Sequence, residues 1–161
     1  MDNVLKRTLV PCKEKYTHAS WKLMNNEENN MAKTIGILTG GGDVPGLNPA
    51  MKAVVMGAIE NDYRVLGIRR GWAGLLHYNL DEPSTHDYYI YELELNDVRT
   101  IDRTGGTFLH TSRTNPQKVK PADIPDFLKN SNYGTKLDEK GTTDYTDYVL
   151  KVLDYLNIDV L

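Results

Sequence analysis

Residues 39–48 form the first of two segments whose composition could support chemistry. They read Thr-Gly-Gly-Gly-Asp-Val-Pro-Gly-Leu-Asn and lie between an apolar, β-branched run and a stretch with helical spacing. Backbone N–H groups in such a loop, together with the positive end of the following helix, attract phosphate. Glycine lets the backbone approach the anion within hydrogen-bonding distance. The segment predicts a phosphate-binding loop, with a plain tight turn as the alternative.

Residues 104–116 form the second segment, which reads Thr-Gly-Gly-Thr-Phe-Leu-His-Thr-Ser-Arg-Thr-Asn-Pro. Glycines, hydroxyl groups and the guanidinium of Arg113 are what a polyphosphate pocket requires. Taken alone, the segment is more simply interpreted as a turn that carries a surface arginine. His110 is interpreted as a passive residue of this loop.

Two common nucleotide-binding motifs can be tested against the first segment. A Walker A loop needs Lys followed by Ser or Thr, but Gly46 is followed by Leu47 and Asn48. A dinucleotide fingerprint needs G-x-G-x-x-G, and here the third glycine comes one residue too late. An NADP-binding Rossmann module with Arg69 and Arg70 at a 2'-phosphate remains one alternative. A non-catalytic α/β interaction module is another.

The elements that must position these segments alternate between strand and helix. Residues 34–38 and 64–68 predict parallel strands, and the intervening helix is predicted to begin with Asn48 as its cap and Pro49 in its first turn. Its small residues at helical spacing are predicted to face the sheet. These residues are Ala50, Ala53, Val54, Gly57 and Ala58.

The second half of the chain continues the same alternation. Residues 117–142 mix prolines, glycines and charges, which indicates a long surface excursion. A helix capped by Thr143 follows, ends at Asn157 and leads into an apolar run at 159–161 that predicts another strand. The buried face of this helix is predicted to hold Tyr145, Tyr148, Val149, Val152, Leu153 and Leu156. The fold class is α/β, doubly wound and Rossmann-like around a parallel sheet.

Composition narrows the classes of function. A chain of 161 residues that is 40% hydrophobic and 25% charged suits one α/β domain, and a net charge of -3 argues against a nucleic-acid partner. The sequence lacks an apolar run long enough for a membrane span, and it lacks a secretory signal. Its single cysteine, Cys12, has no second thiol with which to form a disulfide. A cytoplasmic location is therefore predicted. Residues 1–30 are interpreted as a flexible leader or a misassigned start, and 31–161 as the domain.

Together, the two segments resemble the 6-phosphofructokinase family over residues 33–161. The resemblance rests on Gly-Gly-Asp-x-Pro-Gly-Leu-Asn followed by Gly-Gly-Thr-x-Leu-x-Thr-Ser-Arg-x-Asn-Pro, and on the glycine-aromatic segment at 71–75. It implies transfer of a phosphoryl group from ATP or pyrophosphate, with Mg²⁺, to the C1 hydroxyl of fructose 6-phosphate. The product would be fructose 1,6-bisphosphate, a glycolytic intermediate. Family members usually act as homo-oligomers, and one is expected of the complete protein.

The resemblance also assigns roles to particular residues. It places Gly41 and Thr114 at the phosphoryl donor, and Arg113 between donor and acceptor, where its charge stabilises the transition state. His110 stands where the family usually has glycine. Lys52 and Met56 stand where bacterial members often carry two effector-site arginines, so their usual allosteric control is not expected.

The resemblance places two other family segments beyond the last residue. These are Gly-Gly-Asp, whose aspartate holds Mg²⁺, and Thr-Ile-Asp-Asn-Asp, whose aspartate is the general base. The chain is therefore interpreted as an amino-terminal fragment that is inactive alone. Asp102 mimics the second segment but is not interpreted as the base. No metal site is predicted within the chain, because its histidines do not pair at ligand spacing.

Overall fold

A three-stranded sheet with the order β1-β2-β3 forms the centre of the computed structural model. Strands β1 (Thr34–Leu38) and β2 (Arg64–Ile68) are parallel, with Ile35 opposite Val65 and Leu38 opposite Ile68. Both strands were predicted from their short apolar runs, and their bounds are confirmed. Strand β3 (Ile90–Glu92) runs antiparallel to β2.

The structure describes residues 33–137, 139 and 141–161. The predicted leader, residues 1–30, lies outside the described residues, as does the predicted domain boundary that follows it. All of the described residues belong to one compact unit.

Six helices and a short hairpin accompany the sheet in the described part of the chain. The helices are α1 (Leu47–Glu60), α2 (Gly71–His77), α3 (His86–Tyr89), α4 (Leu95–Val98), α5 (Asp126–Lys129) and α6 (Thr146–Tyr155). The hairpin consists of β4 (Thr135–Lys136) and β5 (Thr143–Asp144). Single 3-10 turns lie at Pro83–Thr85, Ile101–Arg103, Pro116–Lys118 and Pro121–Asp123.

Helices cover both faces of the sheet, which confirms the doubly wound α/β class. Successive side chains of a strand point to opposite faces, so β2 contributes Val65 to one hydrophobic cluster and Leu66 and Ile68 to another. The first cluster contains the buried side of α1 together with Val98 of α4. The second contains buried residues of α2 and α6.

The sheet departs from the wholly parallel arrangement that was predicted, because β3 is antiparallel. The apolar and aromatic run at 88–91 signals a strand through its side chains, but propensity carries no information on strand direction. Strand β3 begins directly after α3, whose last residue is Tyr89. The apolar run at 159–161 does pair as predicted, through a parallel bridge between Val160 and Ile35.

The buried face of α1 differs from the prediction. Met51, Val55 and Ala58 face the sheet. Three of the five small residues predicted to do so are exposed instead, and these are Ala50, Ala53 and Val54. The observed face is rotated by about one residue, or roughly 100°. Burying a methionine and a valine removes more apolar area from water than burying alanines, which favours this rotation.

The predicted helix caps are also wrong. Helix α1 begins at Leu47 after Gly46, and Asn48 lies inside its first turn without capping it. Helix α6 begins at Thr146, where Asp144 Oδ1 accepts hydrogen bonds from the backbone N–H at 2.8 Å and the hydroxyl at 2.6 Å. Thr143 belongs to β5 instead. Helix α6 ends at Tyr155, close to the predicted end, and Asn157 two residues later adopts a φ of 51°.

Tyr148, on the buried face of α6, makes the core sensitive to alkaline pH. Its hydroxyl donates to the Tyr78 carbonyl at 2.5 Å. Burial raises the pKa of Tyr148 to about 12, and Asp81 and Tyr133 nearby add to the effect. Burial likewise raises the pKa of Tyr78. The folded state therefore favours the neutral phenols, and this stabilisation is complete below the ordinary tyrosine pKa and is lost as pH rises toward 12.

We expect Tyr148→Phe to weaken this alkaline loss of stability. At neutral pH the variant should lose about 1 kcal/mol with the hydrogen bond to Tyr78. Between about pH 9 and 11 its free energy of unfolding should fall less than that of the unsubstituted protein, since one titrating phenol is gone. Urea unfolding over this pH range measures the difference, with Tyr63→Phe at an exposed tyrosine as the control. Equal declines in the Tyr148 variant and the unsubstituted protein would contradict the assignment.

Among the described residues, no helix combines the length and the apolar content that a bilayer crossing requires.

Candidate functional site

The glycine-rich loop joins β1 to α1 and leaves open space in front of its backbone. Gly41 has a φ of 92°, in the left-handed region that favours glycine. A Cβ added at Gly40 or Gly41 would meet no heavy atom of the described residues within 4 Å. The glycine at position 40 is therefore not required by packing within the described chain. Such a surface suits a ligand that approaches the backbone closely.

The second segment lies directly alongside this loop. Gly40 and Ser112 form a parallel bridge, and Gly41 N–H donates to the Ser112 carbonyl at 2.9 Å. The Thr111 hydroxyl donates to the Gly41 carbonyl at 3.0 Å. At the end of β1, the Thr39 hydroxyl donates to the His110 carbonyl at 2.6 Å. The two motifs that the sequence singled out are thus brought together in the fold.

Two further side chains of the first loop bind the glycine turn that opens the second segment. Asp43 Oδ1 accepts a 2.6 Å hydrogen bond from the Thr107 hydroxyl. The buried Asn48 donates from Nδ2 to the Gly106 carbonyl at 2.8 Å, and its Oδ1 accepts from the Phe108 N–H at 2.9 Å. Sequence reasoning missed this role, because an asparagine at the start of a helix is ordinarily interpreted as a cap.

Arg113 lies at the meeting point of the two segments. Its side chain is exposed, and its Nη2 atom is 3.7 Å from the position that a Cβ on Gly42 would occupy. Within the described part of the chain, no hydrogen bond or ion pair joins Arg113 to another residue. A guanidinium without a counter-ion beside open backbone is suited to bind an anion with several oxygens.

The structure adds detail to the predicted glycine and threonine contacts. Gly42, which the sequence did not single out, is the loop residue that the guanidinium of Arg113 approaches, whereas Gly41 faces open space. Thr114 directly follows Arg113 and is half-buried. Among described residues, no hydrogen bond joins its side chain to the glycine loop.

Arg69 and Arg70 directly follow β2 and contact the second segment at Leu109 and His110. Arg69 donates to the Tyr91 hydroxyl at 3.0 Å and to His110 Nε2 at 2.8 Å, and its guanidinium is 4.7 Å from the centre of the Tyr88 ring. Because arginine only donates, His110 Nε2 must be unprotonated in this contact. Arg70 adopts a φ of 61° immediately before α2.

His110 occupies a backbone conformation that explains the glycine expected at this position. Its φ is 54°, in the left-handed region where glycine is strain-free. The expectation of a passive residue is incomplete, because the imidazole accepts from Arg69 while the carbonyl accepts from Thr39. These contacts tie the second segment to the ends of β1 and β2.

The glycines of the segment at 71–75 allow close packing behind the loop. A Cβ on Gly71 would lie 2.4 Å from the Thr39 carbonyl oxygen, and a Cβ on Gly74 would lie 1.9 Å from the Arg69 carbonyl oxygen. Neither position accepts a larger residue without movement of the backbone. Helix α2 is thereby held against the loop, with the Ala73 N–H 3.4 Å from the Ser112 hydroxyl.

A cavity of about 230 Å³ opens between the first loop and the glycine turn that opens the second segment. Its walls include Asp43, Gly46, Asn48, Asp102 and Gly105. Asp102 contacts Lys52 Nζ at 2.8 Å, and this ammonium group lowers the pKa of the carboxyl. In the described part of the chain, no group of three or more His, Cys, Asp or Glu side chains could hold a metal ion.

Comparisons with known proteins agree on one family. The family model described as Phosphofructokinase matches residues 34–159. A pyrophosphate--fructose 6-phosphate 1-phosphotransferase of Dictyoglomus thermophilum is 44% identical over 96 residues, which are 60% of this chain and 25% of that protein. An ATP-dependent 6-phosphofructokinase of Thermotoga neapolitana is 42% identical over 88 residues, which are 55% of this chain and 24% of that protein.

A solved structure is also similar. Phosphofructokinase of Pichia pastoris in the T-state aligns with a TM-score of 0.45 and 29% sequence identity, over 53% of this chain and 8% of that chain. The matched part of this chain thus spans about a quarter of the length of the curated relatives named above.

Proposed function

The chain belongs to the phosphofructokinase family, and we propose from this membership that the protein transfers a phosphoryl group to the C1 hydroxyl of fructose 6-phosphate. The product is fructose 1,6-bisphosphate, and the reaction is a phosphotransferase reaction of glycolysis with an alcohol acceptor. Because the chain belongs to this family, we interpret the glycine loop as a phosphoryl-donor site and no longer as part of an NADP-binding module or a non-catalytic interaction module. The side chain of Arg69 is already engaged by Tyr91 and His110.

One observation carries the proposal. The guanidinium of Arg113, which has no partner among the described residues, lies beside the open backbone of a glycine loop that follows a strand and precedes a helix. The loop supplies N–H groups and the helix supplies the positive end of its dipole. An anionic phosphate chain can therefore contact the backbone on one side and a fixed cation on the other.

The arrangement fits the electrostatic needs of phosphoryl transfer. Charge spreads over the oxygens of the transferred group in the transition state, so positioned cations accelerate the reaction more than covalent groups do. We propose that the loop at 39–48 binds the donor phosphates through its backbone, with Gly41 in contact. Arg113 bridges the donor and the acceptor. Thr114 lines the donor site as the neighbour of Arg113.

The donor is ATP or pyrophosphate. Relatives named for each donor match this chain at nearly the same identity, 42% and 44%. The two donors share the phosphoanhydride that the loop would contact, so the described residues serve either one. Mg²⁺ remains a prediction of the resemblance. The described residues offer no group of ligands that fits the ion.

Product formation tests the proposed function. The full-length gene product would be incubated with fructose 6-phosphate, Mg²⁺ and either ATP or pyrophosphate, and fructose 1,6-bisphosphate would be detected by a coupled aldolase assay. We expect product with at least one donor, and the two arms identify which one is used. A cooperatively folded protein that forms no product with either donor would contradict the proposal.

Asp102 is proposed to have no part in proton transfer, although it mimics the sequence of the family's base. Its carboxylate is paired with Lys52, and a base whose pKa is lowered is poorly matched to abstracting a proton near neutral pH. We expect Asp102→Asn to leave kcat within about twofold, whereas removing a true general base costs roughly 10²- to 10⁴-fold. Steady-state kinetics of the full-length protein decide the point, and a hundredfold loss would make Asp102 a base candidate.

The oligomeric state, location and partners are proposed for the complete protein. We propose a homo-oligomer with a cytoplasmic location and with no nucleic-acid or membrane partner, as the resemblance and the composition of the chain suggest. Size-exclusion chromatography with light scattering would test the oligomeric state.

A further inference from the structure

Asn48 is a buried polar residue whose side chain has no proposed contact with the donor. It is 5% exposed and lies in the first turn of α1. Its Nδ2 donates to the Gly106 carbonyl at 2.8 Å and approaches the Thr104 carbonyl at 3.4 Å, while its Oδ1 accepts from Phe108 N–H at 2.9 Å. One side chain thus satisfies backbone groups at three positions of the second segment.

These contacts fix the part of the chain that leads to Arg113. The guanidinium of Arg113 has no partner among the described residues, so the backbone before it must set its position. Other contacts also join the two segments. Thr39 and the Gly41 N–H bind the carbonyls of His110 and Ser112 later in the second segment, whereas the contacts between Asp43 and Thr107 and between Gly41 and Thr111 involve exposed groups that water can compete for. Hydrogen bonds from a buried amide are shielded from that competition and hold the geometry more firmly.

We propose that Asn48 is a positioning residue, which holds the second segment in register with the glycine loop so that Arg113 faces the donor phosphates. The proposal rests on the proposed function, and it adds a residue whose effect on turnover passes through Arg113. The amide group of Asn48 matches the hydrogen-bonding needs of the backbone groups around it. It donates to carbonyls on one side and accepts from an N–H on the other, whereas a carboxylate of the same size cannot donate.

The test is a double-mutant cycle in the full-length protein. Asn48→Asp keeps the size of the side chain and the acceptor for Phe108 N–H, but it directs a carboxylate at the Gly106 carbonyl. We expect Asn48→Asp to lower kcat about tenfold when Arg113 is present and less than about twofold in an Arg113→Ala background, since residues that act as a unit are non-additive. Donor KM should change less than kcat.

Asn61→Asp is the matched control. Asn61 lies at the other end of α1 and also donates from Nδ2 to a backbone carbonyl, that of Gly57 at 2.7 Å. Its substitution should leave kcat unchanged in both backgrounds. Asn48→Ser, which is neutral and too short for the same contacts, provides a second variant for the cycle if the aspartate variant folds poorly.

Amide hydrogen exchange separates this inference from the proposed function. We expect Asn48→Asp to speed exchange in residues 104–113, with no such change in the Asn61 variant. Equal losses of kcat in both Arg113 backgrounds, or unchanged exchange in 104–113, would overturn the positioning role. An unsubstituted protein that forms no product would overturn the proposed function, and the catalytic consequence of Asn48 with it. The exchange data would then show only whether Asn48 holds the backbone of residues 104–113 in place.

Discussion

Replacing Arg113 with alanine is expected to lower kcat about a hundredfold, which corresponds to a loss of about 3 kcal/mol of transition-state stabilisation. The donor KM should change far less. Arg113 has no counter-ion among the described residues, so its charge is available to the oxygens of the transferred group. Negative charge spreads over those oxygens in the transition state, and an interaction that strengthens there affects kcat more than ground-state binding.

Two variants sharpen this prediction. Arg113→Lys keeps the charge but loses the planar fork of donors, so it should recover only part of the lost rate. Arg103→Ala removes another exposed arginine of the same region, whose nearest carboxylate, that of Asp102, is 4.0 Å away. It should leave kcat unchanged. If Arg113→Ala raised the donor KM strongly and spared kcat, Arg113 would be a ground-state binder only.

Replacing Gly41 with valine is expected to weaken donor binding by at least tenfold. The branched side chain would project into the open space where the backbone is proposed to meet the phosphates. Position 41 also has a φ of 92°, which a β-branched residue adopts only with strain. We therefore expect a loss of stability of about 1–3 kcal/mol in addition to the loss of affinity.

Calorimetric titration with the donor and urea unfolding measure the two effects of Gly41→Val separately. Gly57→Val is the control, since a Cβ there also meets no atom of the described chain within 4 Å and the φ of Gly57 lies outside the left-handed region. The Gly57 variant should bind the donor normally. Normal donor affinity in the Gly41 variant would remove this loop from the donor site.

The sequence predicted those elements whose signals are local. Strands β1 and β2 follow from short apolar runs that end in a glycine loop or an arginine pair, and both were predicted with correct bounds. The buried face of α6 was also predicted correctly in Tyr148, Val149 and Val152, because its apolar residues recur at helical spacing.

The sequence did not predict features that depend on distant contacts. The stretch at 117–142 was interpreted as a surface excursion, yet Val119 and Leu128 are buried in the cluster with α6. Turn residues mark where a chain bends but carry no information on what it packs against. The direction of β3 and the rotation of α1 are likewise set by tertiary packing.

In the candidate site, too, the sequence predicted the local motifs but not the contacts between them. The two motifs were identified by composition, and family resemblance linked them, but their contacts could not be derived from one sequence. Asn48 was interpreted as a cap because its burial is invisible until the second segment is placed over it. His110 was noted as a departure from glycine, and the φ of 54° supplies the physical reason that glycine was expected there.

A crystal structure of the full-length protein with a non-transferable donor analogue tests the central claim most directly. We predict that phosphate oxygens of the analogue lie at hydrogen-bonding distance, about 3 Å, from backbone N–H groups of the loop at 39–48 and from the guanidinium of Arg113. An analogue bound elsewhere, with the loop and Arg113 free of phosphate, would contradict the account.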